Sequence, residues 1–447
     1  MSGDDVVDAA VAAALAAGAS AADAVLVEDD GASVAVRDGV VERVERHGSR
    51  GLGVRAFCGT RVGIAYTNTI DPEAARRTAR EAVAIAEISA EDPAAGLPET
   101  AELGALEIDL DTVDPGAAGR DVAVWIDLAT RAEAAARAEP RIERSEGARA
   151  GGGRRTFTLA NSAGFHDARA VTSAHVHVAV FATGDGGERQ RDLWFDAAVH
   201  LADLASPEDV GREAARRAVR RCGFRKPPSG AVPVVFSPLV ACDFAGTLVA
   251  ALSAAAVYAR GTFLADALGE TVGSAALSLD DDPTLPRRSG SRAFDGEGVR
   301  ARRTPLLEAG RVTSWLADAY AARRAGCAST GAAGRSFDGA PRVGPSNFVL
   351  AAGSRPPADV LADIPSGLYV TELFGMGVNL ASGAWSRGGA GLWIERGELT
   401  HAVQEFTVAG DLRTMLRGVR EVASDLTWFG RSAAPTLVLD GLTVSAG

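Results

Sequence analysis

The chain is poor in the side chains that carry most enzyme chemistry. Six histidines, four cysteines and 6% aromatic residues are spread over 447 positions. Cys58, Cys222, Cys242 and Cys327 lie far apart and form no CxxC pair. That spacing argues against a disulfide framework or a zinc knuckle, and free cysteines of this kind act as small core hydrophobes. Basic charge is scarce too: 46 Lys and Arg stand against 58 Asp and Glu, a net charge of −12. A nucleic-acid partner needs a basic face to neutralise phosphates. The run RRAVRRCGFRK, Arg216 to Lys226, supplies only a small patch at a helix end, where cations suit the dipole. No nucleic-acid partner is expected. The longest apolar run, Pro238 to Tyr258, is broken by Asp243 and rich in alanine, so it reads as a buried helix and not a membrane span. The N-terminus, MSGDDVVDAA, has neither a basic start nor an apolar signal core, so a cytoplasmic location is expected.

What is present has the pattern of a two-domain α+β protein. The length exceeds one typical core. Residues 5–17 read as a helix ended by Gly18. Ala24 to Glu28, Ser33 to Arg37 and Val40 to Arg46 read as strands, with Asp38-Gly39 as a hairpin turn. Leu52 to Phe57 and Arg61 to Tyr66 form a second hairpin. Pro72 to Ile88 is a helix capped by Asp71 with proline in its first turn. Pro93 to Asp114 is a connector. Val122 to Ala138 is a helix, followed by strands at Ile142–Gly147, Arg155–Ala160, Val171–Thr183 and Asp192–Val199, and a helix at Pro207–Cys222 capped by Ser206. Phe224 to Gly230, with Pro227-Pro228, marks the boundary between an N-terminal α+β domain (1–226), an antiparallel sheet with packed helices, and a strand-rich C-terminal domain (227–447). The latter opens with a strand at Val232–Phe236 and the helix Pro238–Tyr258.

The densest signal is Tyr369 to Leu399, where Gly375, Gly377, Gly383, Gly388, Gly389 and Gly391 alternate with Phe374, Trp385 and Trp393. Glycine weakens an ordinary strand but admits close backbone approach. The pattern fits a backbone shaped for a ligand or another chain, and equally a tightly turned meander. The stretch TELFGMGVNLASGAWSRGGAGLWIERGELTHAVQEFTVAGDL resembles the C-terminal signature of the TldD/PmbA family, on its PmbA (TldE) side. Three further segments share the likeness: Ser33 to Asn68, AEDPAAGLPE near Glu99, and Arg292 to Gly334. The resemblance therefore spans nearly the whole chain, and is weakest from Asp114 to Gln190.

The resemblance implies a specific loss. TldD-like members carry HExxxH on the helix of the second half, two histidines binding metal and a glutamate acting as base. Here that helix reads CDFAGTLVAALSAAAVYARGTFL, and the motif positions fall on Gly246, Thr247 and Ala251. No HExxH or HExxxH occurs anywhere. A hydrolytic zinc site needs about three N, S or O ligands and an open position. His175 and His177 are the one close pair, on one face of a strand; a metal site there, with Asp167 or Asp192, competes with the commoner role of a polar strand face. Asp280-Asp281-Asp282 lacks the spaced ligands of a calcium loop and reads as a solvated turn before Pro283. Ser386-Arg387-Gly388 offers a hydroxyl, a guanidinium and N–H groups to a peptide carboxylate, with no histidine nearby in sequence to activate the serine. GxSxG, GxxxxGK[ST] and Rossmann fingerprints are absent.

The resemblance thus implies a non-catalytic subunit paired with a TldD-like zinc metallopeptidase, with zinc in the partner and none in this chain. It would complete a shared chamber and hold peptide as an extended strand. Phe374, Gly375, Gly377, Asn379, Ser386 and Arg387 are the expected substrate- or partner-facing residues. The alternatives are a homodimeric peptidase or amidase acting alone, through His175/His177 or an unrecognised nucleophile, and a peptide-binding protein without peptidase activity. The family is linked by name to DNA gyrase modulation; these residues give no support for DNA contact.

Overall fold

In a computed structural model, residues 3–117 and 120–446 are described. The N-terminal half is built on one antiparallel sheet. Its strands are β1 (Ala21–Arg37), β2 (Val40–Cys58), β3 (Arg61–Thr67), β4 (Ile142–Asn161), β5 (His166–Thr183) and β6 (Arg189–Ala198), in the order β3-β2-β1-β4-β5-β6. Asp38 and Gly39 turn β1 into β2 with φ of 52° and 74°, the left-handed pair that matches strand twist in a two-residue hairpin. Asp71 caps the helix α2 (Pro72–Ile88) by accepting from the N–H groups of Glu73 and Ala74.

Helix α1 (Gly3–Ala16) presents Val6, Val7, Ala10 and Ala14 to one half of the sheet, beside α2. Helices α3 (Val122–Arg137) and α4 (Pro207–Arg220) cover the other half with Trp125, Ala129, Ala132, Val210 and Ala214. Alanine dominates these faces, which lets helix and sheet backbones approach closely.

Several expected strands are halves of longer ones. Ala24–Glu28 and Ser33–Arg37 are one strand, and so are Ile142–Gly147 and Arg155–Ala160. Polar Asp29-Asp30 and the triple glycine Gly151–Gly153 suggest breaks by composition. In the sheet they are neighbours: Asp29 pairs with Arg155, Asp30 with Arg154 and Gly31 with Gly153. Cross-strand charge and backbone contact keep both strands continuous through the middle.

The C-terminal half, from Gly230, carries an eight-stranded sheet whose centre is Val234–Phe236, Ser366–Phe374, Ala384–Glu395 and Glu398–Asp411. Its large core joins Phe236, Phe244, Leu248, Trp385, Trp393 and Phe406. The architecture is α+β, strand-rich toward the C-terminus. The helix expected over Pro238–Tyr258 is two: α5 (Pro238–Ala251) and α6 (Ala254–Tyr258). The break has a partner. The Leu252 carbonyl accepts from the N–H of Leu316, and the Ala254 N–H donates to the Leu316 carbonyl. Two residues, Leu252 and Ser253, therefore leave the helix, and Ser253 bridges to Leu316.

Asp280–Asp282 is not a solvated turn. Leu279–Asp281 is a strand, and Asp281, 3% exposed, accepts from the Ser346 backbone N–H at 2.7 Å and the Ser346 hydroxyl at 2.9 Å. Among the described residues no helix is long and apolar enough to cross a membrane.

Candidate functional site: a cavity along helix α5

Helix α5 starts at Pro238, after Ser237, directly from the strand Val234–Phe236. One face is buried: Val240, Ala241, Phe244, Ala245, Leu248 and Ala251 join the core. The opposite stripe, Leu239, Asp243, Gly246, Thr247 and Ala250, lines a cavity of about 730 Å³. Those positions recur at the three- and four-residue spacing that holds one helix face. Phe348, Leu373, Val378, Leu380 and Phe429 complete a mostly apolar wall. A void of this volume, mainly apolar with few polar groups, has the composition of a ligand pocket.

The motif positions divide between the two faces. Gly246 and Thr247 stand in the cavity wall, while Ala251 is fully buried in the core and its neighbour Ala250 takes the cavity face. The Thr247 hydroxyl is turned back on its own helix, donating to the Asp243 carbonyl at 3.2 Å. At Gly246 an added Cβ would only graze the Phe348 ring, at 3.7 Å. Space that side chains could occupy is therefore left open.

Each charged group at the cavity is matched. Arg387 Nη1 and Nη2 donate to Asp243 Oδ1 and Oδ2 at 3.4 and 3.3 Å, and its Nε donates to the Phe374 carbonyl at 3.2 Å. Glu372 Oε2 accepts from Arg221 Nη1 at 2.7 Å. Burial pushes the Cys242 thiol up to about 11, against a hydrogen bond with Ser432, so it is a protonated thiol at neutral pH. Among the described residues no group of three His, Cys, Asp or Glu side chains is placed to hold a metal ion.

None of the six residues expected to face substrate lies in the cavity wall itself. Arg387 reaches the rim through Asp243. Gly375 turns the chain with φ 78°, and Phe374 is 42% exposed beside it. Gly377 is where a glycine is required: an added Cβ would sit 1.8 Å from the Ser386 carbonyl oxygen, and Ser386 N–H donates to the Gly377 carbonyl at 2.7 Å. Asn379 Oδ1 accepts from Ser382 N–H at 3.0 Å, tightening the same loop. The loop contributes Val378 and Leu380 to the wall instead. Glu372 and the α5 stripe were readable as period-two and period-3.6 neighbours of Phe374 and Asp243. Phe348 and Phe429 come from distant segments with no local signal.

His175 and His177 do share a face of β5, as alternation requires, but neither lines the α5 cavity. Burial lowers both; for His175 the neighbours His177 and His47 add to it, and for His177 the cations of Arg149 and Arg191 do. Three cations of the basic run at the end of α4 are paired with acids of this chain. Arg217 pairs with Asp192 at 3.1 Å and lies over the Trp194 ring, Arg221 holds Glu372, and Arg216 holds Glu213.

Models of metallopeptidase domains match three stretches of the chain: PmbA/TldA metallopeptidase domain 1 over 22–86, the central domain over 117–221 and the C-terminal domain over 229–446. The first two share the single N-terminal sheet. The chain belongs to the PmbA/TldD family. It is 35% identical to the metalloprotease PmbA of Escherichia coli O157:H7 over 89% of this chain and 86% of that one. It is 31% identical to a PmbA homolog of Haemophilus influenzae, over 98% and 94%. A solved structure from Bacteroides thetaiotaomicron superposes with a TM-score of 0.91 at 25% identity, covering 99% and 98% of the two chains. TldE from Thermococcus kodakarensis superposes with a TM-score of 0.87 at 20% identity, over 98% and 99%, a likeness of fold.

Proposed function

We propose that this chain is the non-catalytic subunit of a heterodimeric, cytoplasmic TldD/TldE-type metallopeptidase. A TldD-like partner holds zinc and hydrolyses the amide bond. This chain completes the chamber, and its α5 cavity receives an apolar side chain of an extended peptide while Arg387 and the glycine loop flank the backbone. Peptide or natural-product maturation is the setting this chemistry suits.

The observation that carries the reading is the α5 cavity wall. At positions where the family resemblance implies metal ligands in TldD-like members, this helix presents Gly246 and Thr247 to a mostly apolar cavity. The donors at hand do not fit zinc. A thiol held protonated by burial is a poor ligand, and carboxylates already bound by Arg387 and Arg221 would have to be stripped of their partners. No hydrolytic step is therefore assigned to this chain. An apolar cavity with matched charges at its rim is suited to gripping a side chain.

The test is zinc content and peptidase activity of the purified chain, first alone and then mixed with a TldD-like subunit. The expected result is no stoichiometric zinc alone and activity only in the mixture. One tightly bound zinc with activity in the isolated chain would overturn the proposal and restore the stand-alone reading.

A further inference from the structure

A second cavity, of about 580 Å³, lies at the seam between the two halves, beneath the connector residues 108–113. Its wall carries four arginines. Arg155 and Arg169 come from β4 and β5, and Arg292 and Arg335 from C-terminal loops. The acids in the wall are Asp109 and Asp111. Asp111 already engages Arg287 at 2.8 Å and His200 at 3.2 Å, and Asp109 accepts the backbone N–H of Asp111 at 2.8 Å.

The guanidiniums are incompletely satisfied. Arg335, with its side chain 1% exposed, gives Nη2 to Asp23 at 2.5 Å, while its Nε and Nη1 are buried without a hydrogen-bond partner among the described residues. Arg292, 7% exposed, donates to the carbonyls of Ala333, Gly331 and Gly344, and its Nε is likewise unpartnered. Arg169 lies over the Phe157 ring at 4.6 Å and the Phe294 ring at 5.6 Å, with Nε unpartnered. Arg155 is half-exposed and stands 3.8 Å from Asp29.

Buried cations without matching anions are costly. Arg169 registers that cost directly: burial, then the charges of Arg292 and Arg155, pull it down to about 9, against the opposing pull of Asp295. Arginine's planar fork matches the paired oxygens of phosphate and carboxylate, and the two phenyl rings brace the Arg169 guanidinium from beneath. We propose that this seam cavity binds a small oxyanion, a phosphate or carboxylate group, held by Arg155, Arg169, Arg292 and Arg335. Because both halves supply arginines, the bound anion ties the N-terminal sheet to the C-terminal domain. This site shares no wall residue with the α5 cavity and stands whether or not the chain pairs with a peptidase.

The experiment is titration calorimetry and thermal melting of the full chain with inorganic phosphate and, separately, with citrate, against sodium chloride at matched ionic strength. The expected result is saturable binding of at least one of the two, with a raised melting temperature. Binding should weaken at least about tenfold in Arg169→Gln and several-fold in Arg155→Gln, because each removes a charge-assisted contact. Saturation by phosphate alone identifies a phosphate-bearing ligand; saturation by citrate alone identifies a polycarboxylate. If Arg169→Gln does not fold, Arg155→Gln decides, since that side chain is half-exposed. The proposal is overturned if neither anion exceeds the chloride effect, or if Arg155→Gln binds as tightly as the parent chain.

Discussion

The two cavities treat charge in opposite ways. Along α5, each carboxylate at the wall meets an arginine: Asp243 with Arg387, Glu372 with Arg221. The remaining surface is apolar. At the seam, four arginines share one space. Arg335 shares Asp23 with Arg55, Arg155 stands 3.8 Å from Asp29, and the wall acids Asp109 and Asp111 are engaged elsewhere, so cations outnumber the carboxylates beside them. A matched cavity is neutral and selects by shape. An unmatched one stores unfavourable charge that an anion can release. The same residue type therefore plays two roles, set by how many carboxylates the fold places beside it.

The largest expected effect lies behind the seam. Asp23, 1% exposed, receives both Arg335 and Arg55, and Arg55 also holds Glu297 at 3.1 Å. Removing one partner of a buried ion pair typically costs about 3–5 kcal/mol. Asp23→Ala leaves Arg335 without its carboxylate and Arg55 with Glu297 alone, and should lose about that much, read as a fall in the urea midpoint. A loss under about 1 kcal/mol, the range of exposed pairs, would mean the seam tolerates unmatched charge and would weaken the contrast.

Acid should act next. Burial pushes Asp281 and Asp318 up to about 6, and Asp295 is raised in the same way with Glu297 beside it. A carboxyl raised on folding favours the protonated native state. Its contribution is complete below the unfolded value near 4 and is lost as pH rises through 6. Two units correspond to about 3 kcal/mol per group as an upper bound. Asp114, held down to about 2 despite burial by Arg120 and by backbone N–H groups, works the other way, as does Asp23 through Arg335 and Arg55. Their contributions are lost as pH falls below 4. Stability should therefore fall below pH 4, and the three raised carboxyls should add to it from pH 7.5 to about 5. His175 and His177 offset part of that gain, because their lowered native values cost stability as the unfolded imidazoles protonate. A urea-midpoint profile that declines steadily from pH 7.5 to 5 would contradict this.

At the matched cavity the effect should appear in substrate handling and leave the fold intact. Arg387→Ala breaks a partly exposed pair with Asp243, so stability should change by about 1 kcal/mol or less. In the complex proposed with a TldD-like subunit, KM should rise about tenfold, the loss of roughly one charge-assisted contact, with kcat nearly kept. Unchanged KM and unchanged association would remove Arg387 from the site. The smallest effect is expected from His175→Ala and His177→Ala, which lie outside both cavities. Activity of the complex should stay within about twofold; a hundredfold loss would point to chemistry on the N-terminal sheet.

The sequence by itself determined the elements with local punctuation. Asp38-Gly39 fixed a hairpin because both residues accept positive φ, and Asp71-Pro72 fixed a helix start because a carboxylate meets free N–H groups there. It also determined that α5 carries no imidazole, since that needs only reading the residues. Tertiary structure alone decided the rest. Strand continuity through Asp29-Asp30 and Gly151–Gly153 depends on partners more than a hundred residues away. The end of α5 depends on the backbone of Leu316. Whether an arginine is matched or stranded depends on carboxylates brought from other segments: Asp243 lies 144 positions from Arg387, and Asp23 lies 312 from Arg335. Local propensity is written within a few neighbouring residues, whereas charge balance is a sum over everything the fold brings within a few ångströms.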